Sequence, residues 1–277
     1  MKDLKNNTIK SLLFLIISVS CILQGCDKED SASNIAIYGD SRGNYKIHRE
    51  IVKEINTFNV KAVFHAGDLV NDGNIISEWD SVQSIIAPIR DRVKYYPTIG
   101  NHDLGSDSLF FKEFSDVVEP KGYYKVQIEN MYFFILNNFI DFTIGSEQMI
   151  WLENELKKVP KEKTLIAIIA HKPFFSSGLH GGHDSTTISN ICPLFEKYSV
   201  DVVFGGHDHD YERSVFNNIT YIVTGGGGAP LHSETNNNIY SKIYLSEYHF
   251  CVLHCFSDKW IVEVRNIDNM VIDKFEL

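Results

Sequence analysis

The sequence predicts an α/β protein, a four-layer α-β-β-α sandwich of two mixed sheets flanked by helices, on three observations. Short apolar runs alternate with helical spacings through the first half of the chain. Five of these runs end in polar clusters, and in α/β sheets ligands bind beyond the carboxyl ends of the strands. From Ser214 onward the pattern turns to closely spaced strands, which reads as a second sheet packed on the first.

Taken in order, residues 34–38 form an apolar strand running into Gly39-Asp40, and Ile47, Ile51, Ile55 and Phe58 then recur at helical spacing. The unit repeats: residues 61–66 lead into Gly67-Asp68, a helix covers 75–86, and residues 93–99 lead into Gly100-Asn101-His102-Asp103. A hairpin-like pair at 123–128 and 131–136 is followed by a helix at 146–158, with Met149, Leu152 and Leu156 on one face. The buried strand 164–170 feeds His171, and strand 200–204 feeds Gly205-Gly206-His207-Asp208-His209. Strands at 219–224, 249–255, 259–264 and 271–275 are separated by Gly, Asn and Asp turns.

The N-terminus is not a fold element. Lys2, Lys5 and Lys10 precede an apolar run at residues 12–23, shorter than the about 20 residues a spanning helix needs. Leu23-Gln24-Gly25-Cys26 resembles the bacterial lipobox, which implies an acylated Cys26; an ordinary cleaved signal or an uncleaved anchor is the alternative. The expected organisation is a signal over 1–25, a polar tether over 26–33 and a single catalytic domain over 34–277, lipid-anchored in the bacterial periplasm or at the cell surface. Removing residues 1–25 takes away three lysines and one aspartate, so the formal charge moves from −10 to −12. So acidic a surface gives no steering toward nucleic acid. Cys251 and Cys255 are four strand positions apart, about 13 Å, and cannot bridge each other. With Cys192 they read as apolar core thiols, a Cys192 bridge to one of them being the alternative.

The clusters supply two aspartates, an asparagine and at least three histidines, the donor set of borderline metals such as Zn, Mn or Fe. A carboxylate has two oxygens, so one aspartate can bridge two cations about 4 Å apart, and such a pair neutralises a phosphate and activates water.

Gly39-Asp40, Gly67-Asp68, Gly100-Asn101-His102-Asp103, Ala170-His171 and Gly206-His207-Asp208-His209 resemble the five ordered motifs of the calcineurin-like metallophosphoesterase superfamily. Residues 206–214, Gly-His-Asp-His-Asp-Tyr-Glu-Arg-Ser, are further similar to the last motif of the purple acid phosphatases. The resemblance implies the metallo-dependent phosphatase fold and a binuclear centre. In it Asp40 and His209 hold the first metal, Asp68 bridges, and Asn101, His171 and His207 hold the second. It also makes His102 the general acid for the leaving alkoxide, with Asp103 orienting its ring. A histidine suits that role because its pKa lies near working pH.

Two positions depart from the superfamily. Arg42 stands where most members have a histidine ligand, and it offers a forked phosphate contact or a structural ion pair. Asn71 stands where purple acid phosphatases have a tyrosine; it is a weak oxygen ligand or part of the Asn71-Asp72-Gly73 turn. His180 and His183, on a glycine-rich loop, are substrate contacts or solvent-exposed loop histidines. His48, His65, His232, His249 and His254 read as surface or satisfied strand histidines without a role. Residues 225–228, four glycines, read as a tight turn beside the metals, and Glu212 with Arg213 as an ion pair supporting the His207 loop. The function expected is hydrolysis of a phosphomonoester or small nucleotide with two metal ions as cofactors. The alternatives are a phosphodiesterase and an inactive surface binding protein.

Overall fold

The computed structural model describes residues 33–277 apart from 161, 163 and 258; the signal segment 1–25 and residues 26–32 of the expected tether lie outside the described residues. Ser33, assigned to the tether from sequence, instead opens the first strand. The parallel strands β1 (Ser33–Tyr38), β2 (Val60–His65) and β3 (Lys94–Pro97) are connected by α1 (Tyr45–Ile55) and α2 (Ile76–Arg90). The short helix α3 (Leu109–Glu113) leads to the hairpin β4 (Tyr124–Ile128) and β5 (Met131–Ile135). Then come α4 (Glu147–Leu156), β6 (Leu165–Ile169), α5 (Ser185–Lys197) and β7 (Val202–Gly205). The remaining strands are β8 (Tyr211–Phe216), β9 (Ile219–Thr224), β10 (Ser241–Leu245), β11 (His249–Cys255), β12 (Trp260–Asn266) and β13 (Val271–Glu276).

These strands make two mixed sheets, in the orders β13-β12-β11-β1-β2-β3 and β10-β8-β9-β7-β6-β5-β4. The two-sheet expectation holds, but its allocation does not. The last three strands do not form the second sheet; β11 runs antiparallel to β1 and extends the first, while the second sheet is assembled from β4 to β10. The reason is β1 itself. With Ile35, Ala36, Ile37 and Tyr38 fully buried, it needs a paired neighbour on both edges, and β11 supplies the second.

Side-chain alternation sets the layers. Along β5 and β6, Met131, Phe133, Ile135, Leu165, Ala167 and Ile169 enter the core between the sheets. Phe134, Ile166 and Ile168 point the other way and pack with Met149, Leu152 and Leu156 of α4 and Ile191 and Phe195 of α5. On the opposite outer face, α1 and α2 bring Ile51, Val52, Ile55, Val82 and Ile86 against the first sheet. The helix α1 stops at Ile55, three residues before Phe58, which packs its ring 5.9 Å from Phe250 instead of continuing the helix. Cys192, Cys251 and Cys255 are free and buried, as the core-thiol reading expects.

Candidate metal centre and active site

Five strand ends aim at one place because β1, β2, β3, β6 and β7 all deliver their next residues to the same end of the two sheets. Asp40, Asp68 and His207 each adopt a left-handed backbone, with φ of 55°, 61° and 70°. Non-glycine residues rarely do so, at a cost of roughly 1–3 kcal/mol each, and such outliers cluster at functional sites. The approach is close enough to need glycine: a Cβ on Gly100 would collide with the Asp68 carboxylate, and one on Gly206 with that of Asp40.

Asp40 is fully buried; its Oδ2 accepts the His207 amide at 2.9 Å, whereas Oδ1 has no hydrogen-bond partner among the described residues. That orphaned oxygen lies 3.6 Å from His209 Nε2, and ligand atoms of Asp40, Asp68 and His209 all fall within 4.8 Å of one another. His209 donates Nδ1–H to the Pro230 carbonyl at 2.7 Å, which leaves a lone pair on Nε2 facing the two carboxylates. A second group is built the same way. His171 donates Nδ1–H to the Ala66 carbonyl at 2.8 Å, so its Nε2 lone pair faces Asn101 Oδ1 at 3.1 Å and Asp68 Oδ1 at 3.5 Å. His207 Nδ1 closes this group, 3.2 Å from His171 Nε2.

Each group therefore gathers acceptors with few donors between them, an arrangement that fits a cation and is costly without one. The pKa shifts have the same origin. Burial, and then the neighbouring Asp68 charge, push the Asp40 carboxyl well above the usual range. Burial first, with His171 beside it, lowers His207 to about 3, and burial lowers His209 to about 4 and holds His171 below its ordinary value. The imidazoles thus keep their lone pairs available at neutral pH.

The family model for calcineurin-like phosphoesterases matches residues 33–211, a segment that carries every one of these donors. The chain belongs to this family. Among its relatives, the Fe(3+)-Zn(2+) purple acid phosphatase 12 of Arabidopsis thaliana is 30% identical over 66% of the chain and 43% of its own length. A nucleotide pyrophosphatase/phosphodiesterase of Hordeum vulgare is 23% identical over 91% of the chain and 80% of its own length. A purple acid phosphatase from yellow lupin (Lupinus luteus) seeds superposes with a TM-score of 0.78 at 23% identity, over 90% of this chain and 54% of that one. The chain spans less than half the length of the first plant purple acid phosphatases it matches. The donor groups of the chain support a dinuclear metal centre.

Around these donors the chain departs from several sequence expectations. Asp103 does not orient His102. Its carboxylate accepts the amides of Asp68, Leu69 and Gly100 at 2.8 Å and that of Val70 at 3.3 Å, so it fixes the loop that carries Asp68. The His102 ring is held by the Asn71 carbonyl, which accepts Nδ1–H at 2.7 Å, while Nε2 faces the site 4.0 Å from Asp68 Oδ2. Asn71 serves the site through that carbonyl, and its side-chain Oδ1 accepts from Arg42 Nη1 at 3.4 Å. Arg42 lies across the first group, donating from Nε to Asp68 Oδ2 at 3.3 Å and from Nη2 to His209 Nε2 at 3.5 Å.

The two loop histidines separate. His180 stays at the site, its ring 4.4 Å from that of His207. His183 turns away to stack on Phe142 at 5.6 Å and against Phe174, so it belongs to the outer layer and not to a substrate contact. Glu212 and Arg213 alternate across β8 and cannot pair: Glu212 accepts the Ser177 amide and hydroxyl, and Arg213 binds Asp273 at 2.7 Å. His232, set aside in the sequence, stacks on His209 at 4.0 Å and accepts the His209 amide. Its only sequence signal is its place just after the four-glycine turn, whose Gly227 amide donates to the Gly39 carbonyl beside Asp40. Asp208 braces this side, accepting Ser176 Oγ at 2.6 Å and the amides of His180 and Gly181.

Proposed function

We propose that this chain hydrolyses phosphomonoesters or small nucleotides in the manner of an acid phosphatase, with two metal ions held between Asp40, Asp68 and His209 and between Asp68, Asn101, His171 and His207. The observation that carries this reading is the buried, unpartnered Asp40 Oδ1 facing the His209 lone pair. Two such ions, when bound, supply positive charge to the phosphate and a water acidic enough to attack near neutral pH. The protein does the rest by placement. Asp68 stands between the two groups, and the Ala66 and Pro230 carbonyls fix the tautomers of His171 and His209. His102 presents Nε2 to the leaving oxygen with Nδ1–H anchored on Asn71, the geometry of a proton donor. Arg42 offers its fork of donors to the phosphate when a cation relieves it of Asp68. His180 and His232 flank the same face with polar ring edges.

The test is hydrolysis of p-nitrophenyl phosphate and its bis-ester by metal-stripped protein reconstituted with Mn, Zn or Fe. The monoester is expected to be the better substrate; a faster bis-ester would move the assignment to a phosphodiesterase. His102→Ala is expected to keep its metal content and lose about 10²- to 10⁴-fold in turnover. Hydrolysis of neither ester, with less than one ion bound per chain by elemental analysis, overturns the proposal. We place this activity on a lipid-anchored protein of the bacterial periplasm or cell surface, from the lipobox-like Leu23-Gln24-Gly25-Cys26. Cys26→Ser is expected to release it from the membrane fraction, and unchanged fractionation would remove the anchor. Its partners are then a small phosphoester and the membrane, with no nucleic acid, in keeping with its negative charge.

A further inference from the structure

Beside the metal donors lies a cavity of about 450 Å³, of the size small-molecule sites occupy. Its wall is built from the two loops that flank the donors. Ile99 and Leu104 bracket the Gly100-Asn101-His102-Asp103 motif, and Phe139 and Ile140 follow β5; Phe111 and Tyr123 complete the apolar lining. Phe139 joins the cavity to the metal centre, its ring centroid 6.0 Å from that of His171. Leu104 and Ile140, 44% and 41% exposed, both border this one cavity, so their apolar surface is available to a guest there.

The polar side chains of the lining are engaged within the wall. Lys121 pairs with Glu147, Asp141 caps Thr143, and Asn137 and Gln148 bond each other's backbone or side chain. Asn137 also spends Nδ2 on the Lys121 carbonyl and Oδ1 on the Phe139 amide. No lining residue therefore offers an unpaired cation to a second phosphate, and an apolar guest loses nothing to unmet polar groups. Leu104 in the cavity wall is two residues from His102, the proposed proton donor to the leaving oxygen.

We propose that this cavity receives the leaving group of the substrate, and that the preferred substrates are monoesters of apolar alcohols, alkyl or aryl, in preference to nucleoside polyphosphates. The assignment rests on the phosphatase reading for the phosphate end of the substrate. The test is calorimetric binding of n-alkylphosphonates, from methyl to hexyl, to the metal-loaded protein. Affinity is expected to rise about three- to four-fold for each added methylene until the cavity fills. Ile140→Asn, which adds polarity without charge, is expected to flatten that gradient, with a loss of affinity that grows with chain length. A flat series, or no binding at any length, overturns the cavity assignment. Steady-state hydrolysis of the matching n-alkyl phosphates separates the two proposals. Length-dependent binding without turnover leaves the cavity standing and sinks the hydrolase, whereas turnover with flat binding does the reverse.

Discussion

Asp103 shows how much a short motif leaves unsaid about individual residues. Next to His102 in sequence, it would orient the ring if the chain were extended there, but the turn sends its carboxylate inward to the amides of Asp68, Leu69, Val70 and Gly100. Burial, and then the Asp68 charge, raise its carboxyl to about 7. Asp103→Ala leaves those buried amides unmet and is expected to cost about 2–4 kcal/mol in urea unfolding, with loss of bound metal. A variant of wild-type stability and unchanged metal content would show the amides to be satisfied otherwise. The metal donors themselves were legible because each lies at or just beyond a strand end, and Asp40, Asp68, Asn101 and His207 directly follow a glycine. His232 was not, since its place after the four-glycine turn is too weak a signal to set it apart from a surface histidine, and the stack on His209 arises from the return of the chain. The orientation of His102 was hidden for another reason: its partner is a backbone carbonyl, which any residue at position 71 would provide.

At the scale of elements, strands with an apolar run and a following Gly-Asp or Gly-His were found within a residue or two. The elements that escaped carried competing local signals. In α5, Thr186, Thr187, Ile188 and Ile191 favour extended structure and Pro193 interrupts the donor ladder, so its helix is set by packing of Ile191 and Phe195 and by its cap. That cap is Asp184, whose carboxylate accepts the amides of Thr186 and Thr187 at 2.9 and 3.0 Å. Asp184→Ala is expected to lower the thermal midpoint and speed proteolysis near residue 185, and an unaltered digestion pattern would count against the cap. The half-exposed β10 gave no alternation because it is the edge of its sheet, paired on one side by β8. The loop from β6 to α5 keeps its shape through Glu212 and Asp208, charged groups buried beneath it that sequence presents as surface.

Across the whole molecule, buried neutral histidines tie stability to pH. Burial lowers His48 to about 3, His249 and His183 to about 4, and His65 well below its ordinary value. A depressed histidine pKa favours the folded state above the unfolded pKa of 6.5, and that stability is lost as pH falls through the folded values. Asp40, Asp103, Asp201 and Asp210, all raised by burial, act in the opposite sense but are outnumbered once the lowered His171, His207 and His209 are added to these four rings. The thermal midpoint, measured with a chelator so that metal release plays no part, is therefore expected to drop between pH 6.5 and about 4. A level midpoint across that interval would mean these rings gain protons without cost. The two-sheet architecture was readable from the strand count, but the pairing of β11 with β1 was not, because antiparallel closure over some two hundred residues leaves no local trace.

That pairing has a practical meaning for anyone dissecting the chain. The segment matched by the family model stops at residue 211, yet the strand leading into Asp40 leans along its whole length on residues 251–255. Cutting after the last ligand would keep every donor and strip the backbone partner from the strand that aims the first of them. The smallest portable unit that keeps the site therefore reaches at least to Cys255.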